Sequence, residues 1–289
     1  MKKIKTILIC CIGLLFCSLN PVESKATGPF ENLKDITLYA KQMPEYPDPK
    51  LENVNWLNPN YTEFHEGNAP SGISKVTNKI LRFFKLTKKI IWCPEKFKNL
   101  LEEISQEREL AGREGNFVEK FTPASNANIV VFGDIQGAFH SFARNLKKLH
   151  QMEILNEELE ILNKNDYILF GGDLIDRSPY ILETLSIAMV LIEKNPKNVF
   201  YVLGNHENKE EWHNHGLRRE LEIRMKDYSD ERIPLNTEVK RFFNTLPRAV
   251  YLRNKENDKA QLVRISHYGR NEDRILKEPM YSKFLYEED

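Results

Sequence analysis

Cysteine is scarce in this chain and badly placed. Of the four cysteines in 289 residues, Cys10, Cys11 and Cys17 crowd the N-terminus, and Cys93 stands alone. If the N-terminal stretch is removed, an internal disulfide and a cysteine metal site are both excluded. Charge of one sign is also lacking, because 42 basic side chains balance 42 acidic ones. That balance gives no electrostatic basis for a nucleic-acid partner. No apolar run reaches the ~20 residues that a membrane span needs. Internal repeats are missing too. What remains, at 41% apolar and 29% charged residues, fits a globular protein with a sizeable core.

The N-terminus reads as a leader. Lys2, Lys3 and Lys5 precede an apolar run from Ile7 to Cys17, and a polar stretch follows from Ser18 to Ser24. This order of basic, apolar and polar regions is that of a signal peptide over residues 1–24. Small residues favour cleavage after Ser24, and Ala26 offers a second site. Phe16 is too bulky before Cys17 for a lipoprotein box. The expectation is an exported protein, periplasmic or secreted. It would meet a membrane only through an uncleaved leader, and an uncleaved anchor or a buried N-terminal helix is the alternative.

Residues 25–93 read as an N-terminal extension. Its first part, to about residue 75, is rich in Pro, Asn, Tyr and Gly and reads as extended chain draped on a surface. Lys79 to Trp92 is basic and apolar. It fits a helix packed on the domain, and also a helix lying on an anionic membrane.

From residue 94 the pattern is that of a domain. Pro94 opens a helix with Phe97, Leu100, Leu101 and Ile104 on one side. Ile129–Phe132, Tyr167–Phe170 and Val199–Leu203 are short apolar runs, which predict buried strands. Helical patterns lie between them, one of them predicted from Pro179 to Lys194 with Ser178 as N-cap. Helical sequence follows over Lys209–Tyr228 and Thr237–Asn244, and then strands over Ala249–Leu252 and Gln261–Ser266. Strand, polar loop and helix in alternation predict an α/β fold with parallel strands.

The strand ends carry the chemistry. They read Gly133-Asp134-Ile135-Gln136-Gly137, then Gly172-Asp173-Leu174-Ile175-Asp176-Arg177, then Gly204-Asn205-His206-Glu207, and last Ser266-His267. In open α/β sheets the site lies beyond the carboxyl ends of the strands, so these side chains should converge. Carboxylates and imidazole together suit divalent cations, and a pair of cations ~3.5–4 Å apart can activate water and clamp phosphate oxygens. Arg177 fits a phosphate clamp. His206 fits a proton donor oriented by Asp176. Singly, each segment reads as an ordinary turn; the ordered set does not.

The four segments GDIQG, GDLIDRS, GNHE and HYG resemble the calcineurin-like metallophosphoesterases, above all the phosphoprotein phosphatase branch. Phe242-Phe243-Asn244-Thr245-Leu246-Pro247 adds to that likeness, which covers roughly residues 95–270. The resemblance implies a β-sandwich flanked by helices, with a phosphoesterase domain over 94–289. It implies two divalent ions (Mn, Fe or Zn), with Asp134 and Gln136 on the first, Asp173 bridging, and Asn205 and His267 on the second. His206, Asp176 and Arg177 are then catalytic, and the substrate is a phosphorylated protein or a small phosphate ester.

Three departures shape the expectation. Gln136 stands where most members have a metal-binding His, and it is a weaker, neutral ligand. GDxQG also occurs in bacterial diadenosine tetraphosphatases of the superfamily, which keeps a nucleotide or dinucleoside polyphosphate hydrolase as an alternative. Ser178 and Tyr268 replace motif glycines. The family's last metal-binding His has no counterpart in the 22 residues after His267. Either the chain is cut short there, or His140, His213 or His215 substitutes. A phosphate-binding protein with impaired catalysis is the third reading.

Overall fold

A computed structural model describes residues 28–43, 92–208, 212, 215–225, 235–253, 262–268 and 283–286. The leader, Lys79–Ile91 and His213 lie outside the described residues. The elements are α1 (Leu33–Gln42), α2 (Pro94–Leu110), β1 (Phe117–Phe121), β2 (Ile129–Phe132), α3 (Phe139–Gln151), β3 (Tyr167–Phe170) and α4 (Ile181–Lys194). They continue with β4 (Val199–Tyr201), α5 (Gly216–Arg224), α6 (Leu235–Asn244), β5 (Val250–Arg253), β6 (Leu262–Ile265) and β7 (Lys283–Tyr286).

Two sheets form. One is parallel, in the order β2-β3-β4; the other runs β6-β5-β1-β7, with only the β5–β6 pair antiparallel. The apolar runs of β3 and β4 are buried on both faces, as expected of a parallel sheet covered on each side. Leu169 and Phe200 point one way and pack with Phe121, Val250 and Leu252 of the second sheet. Phe121 stacks on Phe200 with ring centres 4.7 Å apart. Ile168, Phe170 and Tyr201 point the other way, into the helices. The result is a β-sandwich flanked by helices, as the motif resemblance implied.

Helix α4 is largely apolar, and residues 181–192 are all buried. A helix of that kind belongs in a core. By contrast α3 turns Phe139, Phe142, Leu146 and Leu149 inward and Arg144, Lys147 and Lys148 outward.

Three expectations fail. Ile129–Phe132 forms a strand but not a buried one, since β2 is the edge of its sheet and leaves Val131 exposed. Residues 28–43 are not extended chain. Asn32 accepts a hydrogen bond from the Asp35 N–H and caps α1, which buries Leu33, Ile36 and Tyr39 beside Phe30. Each such side chain contributes roughly 1.5–3 kcal/mol of burial, enough to outweigh the Pro-rich neighbourhood. Nor does Ser178 cap α4. The helix starts at Ile181, and the Glu220 carboxylate of α5 accepts from the Ile181 and Leu182 N–H groups at 3.0 and 3.1 Å. Residues 176–178 are used instead for a tight loop in which the Ser178 N–H donates to the Asp176 carbonyl.

Candidate active site

Because β2, β3 and β4 are parallel, their carboxyl ends share one rim, and three of the motif segments leave from it. The backbone there is unusual. Gln136, Asp173, Asp176 and Arg177 all have positive φ, between 48° and 70°. Such left-handed geometry is uncommon for residues other than glycine and gathers at functional sites. The loops are stitched together. The Gln136 N–H donates to the Asp173 carbonyl and the Gly137 N–H to the Leu174 carbonyl, at 2.9 and 2.8 Å. Gly204 has no substitute here, since a Cβ would collide with Asp173 and Glu207.

One group of side chains fits a cation. Ligand atoms of Asp134, Asp173 and His267 all lie within 4.8 Å of one another. His267 Nε2 is 3.4 Å from the Asp173 carboxylate and 2.8 Å from Asn205 Oδ1. Its Nδ1 sits 3.2 Å from the Gly171 carbonyl, which fixes the ring. Two carboxylates, an imidazole and an amide oxygen form a donor set suited to divalent ions. Asp134 is exposed, whereas Asp173 is buried and accepts from the His206 backbone N–H at 3.0 Å.

Beside this group lies an acid pair. His206 Nδ1 is 2.8 Å from Asp176 Oδ2, and both residues are buried. An ionised carboxylate only accepts, so Nδ1 carries a hydrogen and the ring presents Nε2 to the rim. That Nε2 lies 3.4 Å from the guanidinium of Arg177, which is exposed. The other Asp176 oxygen accepts from the Leu217 N–H at the start of α5, at 2.8 Å. Burial raises the Asp176 carboxyl above its usual range, while the Leu217 N–H and His206 pull the other way.

Asp134, Asp173, Asn205 and His267 thus come together, with His206, Asp176 and Arg177 alongside. Gln136 is tied to the same rim through its backbone. Of the histidines weighed as a replacement ligand, His140 is spent elsewhere, with Nε2 at 3.1 Å from the carbonyls of both Ala40 and Met43. The His215 ring lies 4.9 Å from the His206 ring, on the acid side of the site rather than in the ligand group.

Sequence reasoning missed Glu207. Its carboxylate accepts from the N–H groups of Asp173, Leu174 and Gly204, each at 2.9 Å, and from the Tyr201 hydroxyl at 2.8 Å. It ties the β3 loop to the β4 loop, although burial raises its carboxyl above the usual range. The available signal was its place in GNHE, next to His206.

Residues 127–282 match the family described as calcineurin-like phosphoesterase, over half of the chain. The chain belongs to that family. Family members are metal-dependent, in keeping with the ligand group. The chain is 34% identical over 93 residues to serine/threonine-protein phosphatase PP2A-like PPG1 of Candida albicans, covering 32% of this chain and 20% of that protein. It is also 34% identical over 79 residues to bis(5'-nucleosyl)-tetraphosphatase PrpE of Anoxybacillus flavithermus, covering 27% of this chain and 31% of that protein. A solved protein serine/threonine phosphatase from Saccharomyces cerevisiae aligns with a TM-score of 0.42 at 21% identity, over 63% of this chain and 51% of that one. The matched stretches span less than a third of either curated relative.

Proposed function

We propose that this phosphoesterase hydrolyses phosphate monoesters of proteins outside the cytoplasm. The observation that carries the reading is the buried His206–Asp176 pair at 2.8 Å beside a group of cation ligands. Binding phosphate alone needs no oriented proton donor; expelling an alkoxide does.

Two bound divalent cations would supply an activated water and neutralise phosphate oxygens. Asp134 and Gln136 would hold the first, Asn205 and His267 the second, and Asp173 would serve both. Arg177, exposed at the rim, grips the phosphoryl group through two N–H donors. His206 gives its Nε2 proton to the leaving oxygen, and Asp176 keeps the ring aimed and stabilises its charged form. The leader supports export, and with it a protein rather than a nucleotide substrate.

A second reading has its own support. Gln136 and the likeness to a tetraphosphatase favour a dinucleoside polyphosphate substrate. Phosphate release from a phosphoserine peptide and from diadenosine tetraphosphate, at equal concentration with manganese, decides between them. The first reading expects the peptide to be the better substrate by kcat/KM. Preference for the tetraphosphate would install the second. Binding of phosphate with no turnover of either would leave a binding protein.

A further inference from the structure

The helix that steadies Asp176 is itself anchored by an ion network to which residues before the family-matched region contribute. Helix α5 offers the Leu217 N–H to Asp176 at its N-terminal end. At its other end stands Arg224, whose side chain is only 9% exposed. Its guanidinium donates to both oxygens of Glu183 on α4, at 2.8 and 3.0 Å, and to Glu220 one turn earlier at 3.2 Å. Glu220 in turn caps the first two residues of α4, just after the loop that carries Asp176 and Arg177. One ion network therefore fixes α5 against the first turns of α4, directly after the loop that carries Asp176.

Two residues before the matched region complete it. The Tyr39 hydroxyl of α1 donates to Glu183 at 2.7 Å. The Trp92 ring lies under the guanidinium, 4.3 Å from its centre, and its indole N–H donates to Ser186 of α4 at 2.9 Å. Gly216 shows how close the helices come, since a Cβ there would lie 2.7 Å from Ile181 and 3.7 Å from Asp176.

We propose that Arg224 is a positioning residue for the Asp176–His206 pair, and that Tyr39 and Trp92 make the N-terminal segment part of that device. The proposal rests on the reading of His206 as proton donor. A network that only stabilised the fold would change stability and leave the chemistry alone. A network that sets the angle of α5 moves the Leu217 N–H, then Asp176, then the imidazole. A displaced proton donor harms esters with poor leaving groups most, because they need the proton most.

The test compares an alkyl phosphate with nitrophenyl phosphate in the full chain, with metal content and melting temperature measured alongside. Arg224→Lys keeps the charge but loses the planar fork. It should slow the alkyl ester about tenfold more than the nitrophenyl ester, with metal content unchanged. Tyr39→Phe removes one hydroxyl and should shift the same ratio in the same direction by a smaller factor. His206→Asn is the reference. If His206→Asn changes the ratio and both other variants leave it untouched, the positioning role is overturned while the donor role stands. If His206→Asn leaves the ratio unchanged, the donor reading falls and the role of Arg224 falls with it. Should Arg224→Lys not fold, the ratio in Tyr39→Phe decides alone.

Discussion

The two halves of the rim are built to different standards. On the β3 and β4 side, Asp173, Asp176, His206 and Glu207 are all buried, and each has hydrogen-bond partners from the protein itself. On the β2 side, Asp134 has a side chain 53% exposed and Val131 of the same edge strand is 53% exposed. The firm half is also the half whose motifs, GDLIDR and GNHE, follow the family. The loose half carries GDIQG, where Gln136 replaces the usual imidazole. His206, Asp176 and Asp173 are thus held by partners from the protein itself, while the first cation position proposed above would depend on groups that solvent reaches.

The comparison breaks most violently at Glu207. Glu207→Ala strips four buried donors of their acceptor, at roughly 1–3 kcal/mol each when left unsatisfied. Loss of cooperative unfolding or a large drop in melting temperature is the expected result. A variant as stable as the wild type would show that the firm half does not depend on this carboxylate.

Next comes a matched pair on the two sides. Asp173→Asn should abolish turnover and lower metal content below that of the wild type, since a neutral amide bridges two cations poorly. Asp134→Asn should keep part of the metal and part of the rate. Equal losses in the two variants would erase the distinction between the halves.

Gln136→His sharpens the same point in the other direction. An imidazole at this place should tighten the first ion, seen as a lower manganese concentration for half-maximal activity. No change would mean that the Gln136 side chain does not reach the ion.

The smallest effect lies away from the rim. Arg241 of α6 holds Glu109 of α2 through two hydrogen bonds of 2.8 and 2.6 Å, and they lower the Glu109 carboxyl below its usual range. A depressed carboxyl stabilises the fold above its unfolded pKa of ~4.3, and that contribution fades as pH falls through the folded value. Arg241→Ala should therefore cost up to ~1 kcal/mol at neutral pH, with the difference from wild type shrinking below about pH 4. A difference constant with pH would assign the loss to packing.

Much of this was legible in the chain itself, for identifiable reasons. The runs IVVF and YILF became β2 and β3 with no change of boundary, although only YILF is a buried strand, and IVVF forms a half-buried sheet edge with Val131 exposed. The strand-end ligands were legible because parallel topology forces carboxyl ends to one rim. Helix α1 was not, although Asn32 and the spacing of Leu33, Ile36 and Tyr39 encode it, because the Pro-rich residues that follow hid a ten-residue element. Strand β1, Phe117–Phe121, escaped notice because Glu119 and Lys120 interrupt its apolar run. The cap of α4 was misread because local sequence offered Ser178, while Glu220 does the capping from thirty-nine positions away. Glu207 and Arg224 share that character. Their roles lie in partners brought close by folding, and no spacing rule reveals them.

Metal-dependent turnover tests the account most directly. Purified protein stripped of metal should be titrated with manganese while bound metal and nitrophenyl phosphate hydrolysis are followed together. The account predicts that activity rises with occupancy and levels off at two ions per chain. Two bound ions with no hydrolysis, or hydrolysis indifferent to metal, would contradict it.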